Sequence, residues 1–107
     1  MSLIVSGWNN GSPNNETGAG YGIRISKKDR DKYFRREWEF VEIELEDDEV
    51  ITVRLSSSFW KDCSELRSSK IGMWMLQKGY APWPKNNPPK FELIPVSERR
   101  FRLLPLL

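Results

Sequence analysis

The sequence predicts an α+β domain in which a mostly antiparallel sheet of five to six strands, either open or barrel-like, packs against one main helix and carries one short basic helix. Three observations predict this class. Apolar and polar residues alternate over several short segments, as they do in half-buried strands. Residues 64–78 instead carry the broad apolar face of a packed helix. Clusters of Gly, Asn and Pro separate these segments and indicate turns.

Length and composition indicate a single domain over residues 1–107 with an ordinary core. Five Trp, five Phe and three Tyr supply large side chains for burial. A Gly/Asn-rich loop is expected at 7–20 and a Pro-rich loop at 81–90. No apolar run approaches the ~18 residues of a membrane-spanning helix, and the one cysteine, Cys63, precludes an internal disulfide. We therefore predict a cytoplasmic protein without membrane contact.

The first third of the chain predicts a strand, a loop, a second strand and a basic helix. Leu3–Val5 is a candidate first strand, and the Gly/Asn-rich loop follows it. Tyr21–Ile25 alternates as a half-buried strand. Ser26 stands at an N-cap position, so we expect a helix over Lys27–Arg36 whose basic side faces solvent.

A β-hairpin is the most regular pattern in the chain. Phe40–Glu46 alternates apolar residues with glutamates, Ile51–Leu55 alternates again, and Asp47–Glu49 between them is turn-like. The outer face of the first strand is therefore expected to be acidic and solvated. Arg54 is expected to pair across the ladder with one of these glutamates.

The main helix is predicted to begin at Asp62 or Ser64 and to end at about Lys78. Asp62 with a glutamate three residues later resembles a capping box, and Gly79 is a suitable residue just past the helix. Of the five tryptophans, we expect Trp60 and Trp74 in the core, whereas a tryptophan in the Gly/Asn-rich loop, Trp8, is the best candidate for exposure.

Two closing strands are predicted at Phe91–Leu93 and Phe101–Leu103. Pro95 favours an edge position for the first of them, since proline has no backbone N–H group to donate to a neighbouring strand. The apolar end, Leu103–Leu107, is expected to dock on the body or to contact a partner, because free termini are seldom this hydrophobic.

Several kinds of catalytic chemistry are excluded by composition. The chain has no histidine, which removes the commonest general base and zinc ligand and with them the Ser-His-Asp, Cys-His and HExxH arrangements. The series Gly18, Gly20, Gly22 lacks the spacing of a dinucleotide-binding fingerprint, and no Glu-x-Lys triplet occurs. We therefore expect no catalytic residue, no metal ligand and no cofactor.

Opposed charged segments give the main functional signal. Lys27–Arg36 contains six basic residues and two acids, whereas Phe40–Glu49 contains six acids and no base. A basic patch attracts polyanions and an acidic patch repels them. The alternative is a solvated helix face with its own ion pairs. The residues that would contact phosphates are Arg24, Lys27, Lys28, Arg30, Arg35 and Arg36.

A second, weaker set of candidates comes from the Pro-rich loop and the closing strands. Asparagine can read base edges and tryptophan can stack on a base, and both occur with lysine in this loop. The alternative is a stiff crossover with Trp83 packed inward. The weaker candidates are Lys85, Asn86, Asn87 and Arg100.

The order of the predicted elements is similar to that of a known family of domains. Ile23–Phe34 reads as a strand followed by a short basic helix, and the hairpin, the later helix and the closing strands follow. Over about residues 21–105, this order resembles the DNA-binding pseudobarrel of plant transcription factors and of some restriction-endonuclease effector domains. The resemblance implies duplex DNA read in the major groove by loops and strand ends of a concave basic face.

Three functions follow as hypotheses. The first is a non-catalytic nucleic-acid-binding module that uses the basic strand–helix face, with DNA or RNA as the partner. The second is a protein-interaction or self-assembly domain that forms homo-oligomers or binds a protein partner through the C-terminal apolar tail. The third is a histidine-free ribonuclease, in which Tyr33, Arg35, Arg36 and Arg24 would act on the phosphate.

Overall fold

Seven strands and two α-helices follow one another along residues 1–106, with a 3-10 turn at Ser57–Trp60. The computed structural model describes residues 1–106. The elements are β1 (Leu3–Asn9), β2 (Tyr21–Arg24), α1 (Lys27–Tyr33), β3 (Phe40–Glu44), β4 (Val50–Arg54), β5 (Glu65–Arg67), α2 (Ser69–Gln77), β6 (Lys90–Ser97) and β7 (Arg100–Pro105). In this part of the chain, neither helix is long and apolar enough to cross a membrane.

All seven strands belong to one sheet in the order β4-β3-β7-β6-β1-β2-β5. Neighbouring strands are antiparallel except β3 and β7, which run parallel. The edge strands β4 and β5 approach each other, so the sheet is nearly closed and barrel-like. The predicted α+β class and barrel-like sheet are confirmed, with one strand more than expected.

The core lies inside this curved sheet because apolar residues alternate along each strand. Ile23, Ile43, Leu93 and Leu103 are fully buried on its inner face, whereas the side chains that follow each of them in sequence lie on the outer face. The predicted hairpin is confirmed, and Ile43 lies opposite Ile51 in its ladder. Leu103 therefore docks on the body as part of β7, while Leu107 of the predicted apolar tail lies outside the described residues.

The two helices contact opposite ends of the sheet. Phe101 stands near the β6–β7 turn and Phe91 at the far end of the same ladder. Phe34, just after α1, stacks on Phe101 with ring centroids 4.8 Å apart. Trp74 of α2 packs on Phe91 at 5.3 Å. We name these the α1 end and the α2 end of the barrel.

The predicted start of the main helix was wrong. Glu65–Arg67 pairs with β2 as an edge strand and buries Leu66, and α2 begins only at Ser69. The N-cap is Ser68, whose hydroxyl accepts hydrogen bonds from the backbone N–H groups of Lys70 and Ile71. Three residues are too few to display an alternation, so only pairing with β2 distinguishes this strand from a helical turn.

The basic helix is shorter than predicted, although its N-cap is confirmed. The Ser26 hydroxyl accepts a hydrogen bond from the Asp29 backbone N–H. The helix ends at Tyr33, because Phe34 adopts an extended conformation that turns its ring into the core. The charged residues at 35 and 36 therefore lie in the loop after α1.

The first strand is longer than predicted and takes the beginning of the Gly/Asn-rich segment into the sheet. Trp8 lies opposite Gly22 in the β1–β2 ladder. Gly7 in mid-strand allows close packing, because a Cβ there would stand 3.0 Å from the Pro89 ring and 3.1 Å from the indole of Trp83 and would push them back by a few tenths of an ångström. The Pro-rich loop thus packs against a bare stretch of backbone.

The edge position predicted from Pro95 was wrong, since β6 lies between β7 and β1. The proline is tolerated because β1 pairs with β6 only over Lys90–Leu93 and does not reach residue 95. A β-bulge between Pro95 and Ser97 also interrupts the ladder with β7 at this point.

A close backbone contact fixes α2 against the Gly/Asn-rich loop. A Cβ built on Gly72 would overlap the carbonyl oxygen of Gly18, and a Cβ on Gly18 would overlap the carbonyl of Ser69. Gly18 also has φ of +82°, a conformation that L side chains seldom adopt. Both glycines are therefore required for the helix and the loop to approach.

We predict that Gly72→Ala lowers the free energy of unfolding by about 2 kcal/mol, because the new methyl group forces the loop and the helix apart. In an exposed helix, the same change would stabilise by about 1 kcal/mol. Urea unfolding followed by tryptophan fluorescence measures the effect. The control is Gly79→Ala, where a Cβ meets nothing within 4 Å and only the φ of +81° is unfavourable. A stabilising Gly72→Ala would contradict the packing.

Candidate nucleic-acid interface

Four exposed basic residues form the surface of α1 and of the loop that follows it. Lys28 and Lys32 lie one turn apart on the same side of the helix, and Arg35 and Arg36 come directly after it. Within residues 1–106, none of these four side chains forms an ion pair. We call Lys28, Lys32, Arg35 and Arg36 the α1 basic surface.

Arg30 is part of the fold rather than of this surface. Its side chain is only 6% exposed. One guanidinium nitrogen donates hydrogen bonds of 3.0 Å to the backbone carbonyls of Phe59 and Lys61, and Nε pairs with Asp31 at 3.0 Å. The expectation that the whole basic side of the helix faces solvent was therefore wrong at Arg30, because these carbonyls of the 3-10 turn need a donor from α1.

Trp60 lies beside the α1 basic surface. The guanidinium of Arg36 stands 5.1 Å from the centroid of its ring, within the range of a cation–π contact, and Arg30 stands 5.6 Å away. The indole is half-buried, in contrast to Trp74, which is buried as predicted. A flat aromatic surface thus adjoins the unpaired cations.

Lys27 and Arg24 differ from the α1 basic surface because both have acidic partners. Lys27 pairs with the exposed Asp62 at 3.0 Å. Arg24 points outward from β2 and lies 3.6 Å from Glu65, whose side chain is only 4% exposed. Arg67 contacts the same carboxylate at 2.9 Å, so two guanidinium groups share one buried charge.

Trp8 is half-buried, against the expectation of an exposed loop residue. It faces outward from β1, and Arg67 covers its ring at 4.9 Å. The register explains this contact, because Trp8, Gly22 and Arg67 lie side by side across three strands. The glycine between them has no side chain, so the guanidinium can reach the indole.

The acidic strand is neutralised by β7 rather than by β4. Glu42 lies beside Arg100 and Glu44 beside Arg102 in the parallel ladder, with ion pairs of 3.2 and 3.3 Å. Arg54 is instead opposite Phe40 and has no ion pair in the described chain. The predicted Arg54 pairing was wrong, and the weaker candidate Arg100 is already bound to two glutamates.

The remaining candidates lie at the α2 end, away from the α1 basic surface. Lys85, Asn86 and Asn87 are exposed in the Pro-rich loop. Pro89 of this loop accepts a hydrogen bond from the backbone N–H of Gly7, two residues beyond the pairing of β1 with Phe91. The sequence-predicted basic residues therefore do not form one continuous face.

Two other expectations concern the ribonuclease and the apolar tail. The Tyr33 hydroxyl contacts the Met1 sulfur at 3.9 Å, whereas Arg24 pairs with Glu65, so their functional groups have separate partners. Leu106 is 45% exposed at the end of β7. A ribonuclease activity and a partner at the tail both stay predictions.

Within the part of the chain that is described, no three acidic or cysteine side chains cluster as metal ligands would.

Sequence reasoning missed Lys32 and Trp60 as neighbours of the phosphate candidates. The spacing of Lys28 and Lys32 is a helical signal that could have added the second lysine. The position of Trp60 depends on the 3-10 turn, which the sequence does not reveal.

Comparisons with protein-family models, with curated proteins and with solved structures give no match to this chain.

We predict that Arg30→Ala lowers the free energy of unfolding by about 2 kcal/mol, because the buried carbonyl of Phe59 and the partly buried carbonyl of Lys61 lose a charged donor. Urea unfolding measures the loss. Arg35→Ala serves as the matched control: it removes the same kind of side chain from an exposed position and should change stability by under about 0.5 kcal/mol. Equal, small effects would argue for Arg30 as a surface residue.

Proposed function

We propose that this chain is a non-catalytic nucleic-acid-binding module that contacts phosphates through the α1 basic surface. The observation that supports this most is the set of four exposed cations without ion pairs in residues 1–106. Phosphate binding by lysine and arginine releases condensed counterions, which supplies most of the affinity of such contacts. Cations already held by carboxylates contribute less, because a partner must first be displaced.

The distribution of acidic residues supports the same surface. Glu42 and Glu44, which would repel a polyanion, have their charge offset by Arg100 and Arg102 in the sheet. Asp31, which lies on α1 itself, pairs with Arg30. The charges of these three carboxylates are thus partly offset. Asp29, Glu37 and Glu39 have no ion pair in the described chain, but the four cations of the α1 basic surface outnumber them.

The aromatic neighbour adds a sequence-tolerant contact. Trp60 is half-buried and already holds Arg36 at 5.1 Å from its ring centroid. Aromatic rings and arginine planes are the groups on which unpaired bases stack. An unpaired region of nucleic acid could therefore use Trp60 in addition to the phosphate contacts.

Duplex DNA is the first polymer to test because of the pseudobarrel resemblance. A barrel-like sheet in which a strand leads into a short basic helix is common to that family's outline and to this chain. Similar folds serve different functions, so the resemblance supports the choice of probe and the cations support the binding.

We expect labelled duplex DNA to bind with an affinity that falls steeply with salt concentration. Lys28→Gln/Lys32→Gln should reduce the slope of log affinity against log salt by about 2 units, because each phosphate contact contributes about 0.9. Fluorescence anisotropy at several salt concentrations measures the slope. Single-stranded DNA and RNA, titrated in parallel, identify the preferred polymer.

The matched control removes one lysine of α2 and the lysine directly after that helix, both of them exposed. Lys70→Gln/Lys78→Gln changes the net charge equally at the α2 end and should leave the slope within about 0.5 units of the wild type. A similar loss in both variants would indicate a general charge effect without a site. Absence of binding at low salt, or binding that is independent of salt, would exclude the proposed function.

A further inference from the structure

A cavity of about 550 Å³ opens at the α2 end of the barrel, between the Gly/Asn-rich loop and the Pro-rich loop. Its volume lies within the ~300–1,000 Å³ range of small-molecule sites. Asn9 at the end of β1 and Tyr21 at the start of β2 line it from the sheet, Asn15 from the Gly/Asn-rich loop, and Trp83, Lys85 and Asn86 from the Pro-rich loop. We call it the loop cavity.

The polar groups that the loop cavity offers are mainly donors. The side-chain carbonyl of Asn9 accepts a hydrogen bond of 2.9 Å from the backbone N–H of Gly11. The side-chain carbonyl of Asn15 accepts one from the Tyr21 hydroxyl. Each of these carbonyls thus already accepts one hydrogen bond, whereas neither amide NH₂ group has a protein acceptor in residues 1–106. Burial raises the pKa of the Tyr21 phenol, so its hydroxyl keeps the proton that orients Asn15.

The charge of the loop cavity is positive. Lys85 is exposed and forms no ion pair in the described chain, and no carboxylate lines the cavity. A ligand with acceptor oxygens and a negative charge would complement these groups, whereas a cation would meet no counter-charge there.

Trp83 gives the cavity a flat apolar wall whose orientation is fixed. Its ring packs edge-on against Tyr21 with centroids 5.6 Å apart, and it stands close to Gly7 on the other strand. The side chain is nevertheless only partly buried. An anchored and accessible indole is a surface on which a planar ring can stack.

We propose that the loop cavity binds one nucleotide, with its base against Trp83 and its phosphate near Lys85. The amide NH₂ groups of Asn9 and Asn15 favour a base that presents carbonyl oxygens. Uracil and thymine present an acceptor oxygen at position 4, where cytosine presents a donor NH₂ group. The cavity should therefore prefer uridine or thymidine nucleotides to those of cytosine.

This site is separate from the α1 basic surface and extends the proposed function without depending on it. The two lie at opposite ends of the barrel, as the contacts of Phe34 with Phe101 and of Trp74 with Phe91 define them. A free nucleotide and a nucleotide within a strand would both satisfy the chemistry of the loop cavity.

The test is an NMR titration of the ¹⁵N-labelled protein with uridine monophosphate, cytidine monophosphate and uridine. We expect saturable shifts of the Asn9, Asn15 and Trp83 side-chain N–H signals. Uridine monophosphate should bind about tenfold more tightly than cytidine monophosphate, because the cytosine NH₂ group would face protein donors. The oligouridylate is titrated into the Lys28→Gln/Lys32→Gln variant and followed by the same three side-chain signals. Tighter binding than that of the monophosphate would assign the cavity to nucleotides within a strand, and equal affinity would assign it to free nucleotides.

Variants separate the roles of the lining residues. Lys85→Ala should weaken uridine monophosphate about tenfold and leave uridine, which has no phosphate, unchanged. Lys78→Ala removes an exposed lysine at the same end of the barrel but outside the loop cavity, and it should bind uridine monophosphate as the wild type does. Lys28→Gln/Lys32→Gln should bind uridine monophosphate as the wild type does, even if it loses DNA.

The outcomes that overturn the proposal are distinct from those that exclude the proposed function. No shift with uridine monophosphate at millimolar concentration, in protein that still binds DNA, would exclude the nucleotide site alone. Equal affinity for cytidine monophosphate would overturn the assigned base orientation. An equal loss in Lys85→Ala and in Lys28→Gln/Lys32→Gln would mean that the nucleotide binds by general charge.

Discussion

The parallel pairing of β3 with β7 is the contact on which the rest of this structure depends. It joins the hairpin of β3 and β4 to the other five strands, and without it the sheet would fall into two parts. The pairing connects residues that lie 58 positions apart, such as Glu42 and Arg100. Contacts this distant in sequence must overcome a large loss of chain entropy, and here buried Ile43 and Phe101, paired side by side, supply the apolar gain.

The same pairing determines which charges remain available on the surface. It aligns Glu42 and Glu44 with Arg100 and Arg102, so the most acidic strand and part of the most basic strand offset each other. The cations near α1 have no comparable acidic strand beside them. A net charge of +2 over the whole chain therefore conceals a local excess around one short helix.

The two ends of the barrel are built differently and therefore present different chemical groups on their surfaces. At the α1 end, Phe34 and Arg30 hold the helix by an aromatic stack and by bonds to backbone carbonyls, leaving the outward lysines unconstrained. At the α2 end, Gly7 and Gly72 allow loops to approach the backbone closely. Close approach of two irregular loops creates a cavity with amide and aromatic walls, whereas the helix creates a convex charged surface.

The sequence by itself determined the α+β class, the β3–β4 hairpin, the closing strands and the Ser26 cap, because these follow from local alternation and capping chemistry. Only the tertiary structure decided that Glu65–Arg67 is a strand, since its three residues gain their conformation from β2. The same distinction between local sequence and tertiary structure applies to the candidate site. Exposed lysines could be predicted from charge, but the burial of Arg30 could not, because it depends on carbonyls 29 and 31 residues away. The loop cavity likewise required the fold, since local sequence does not encode which loops meet in space.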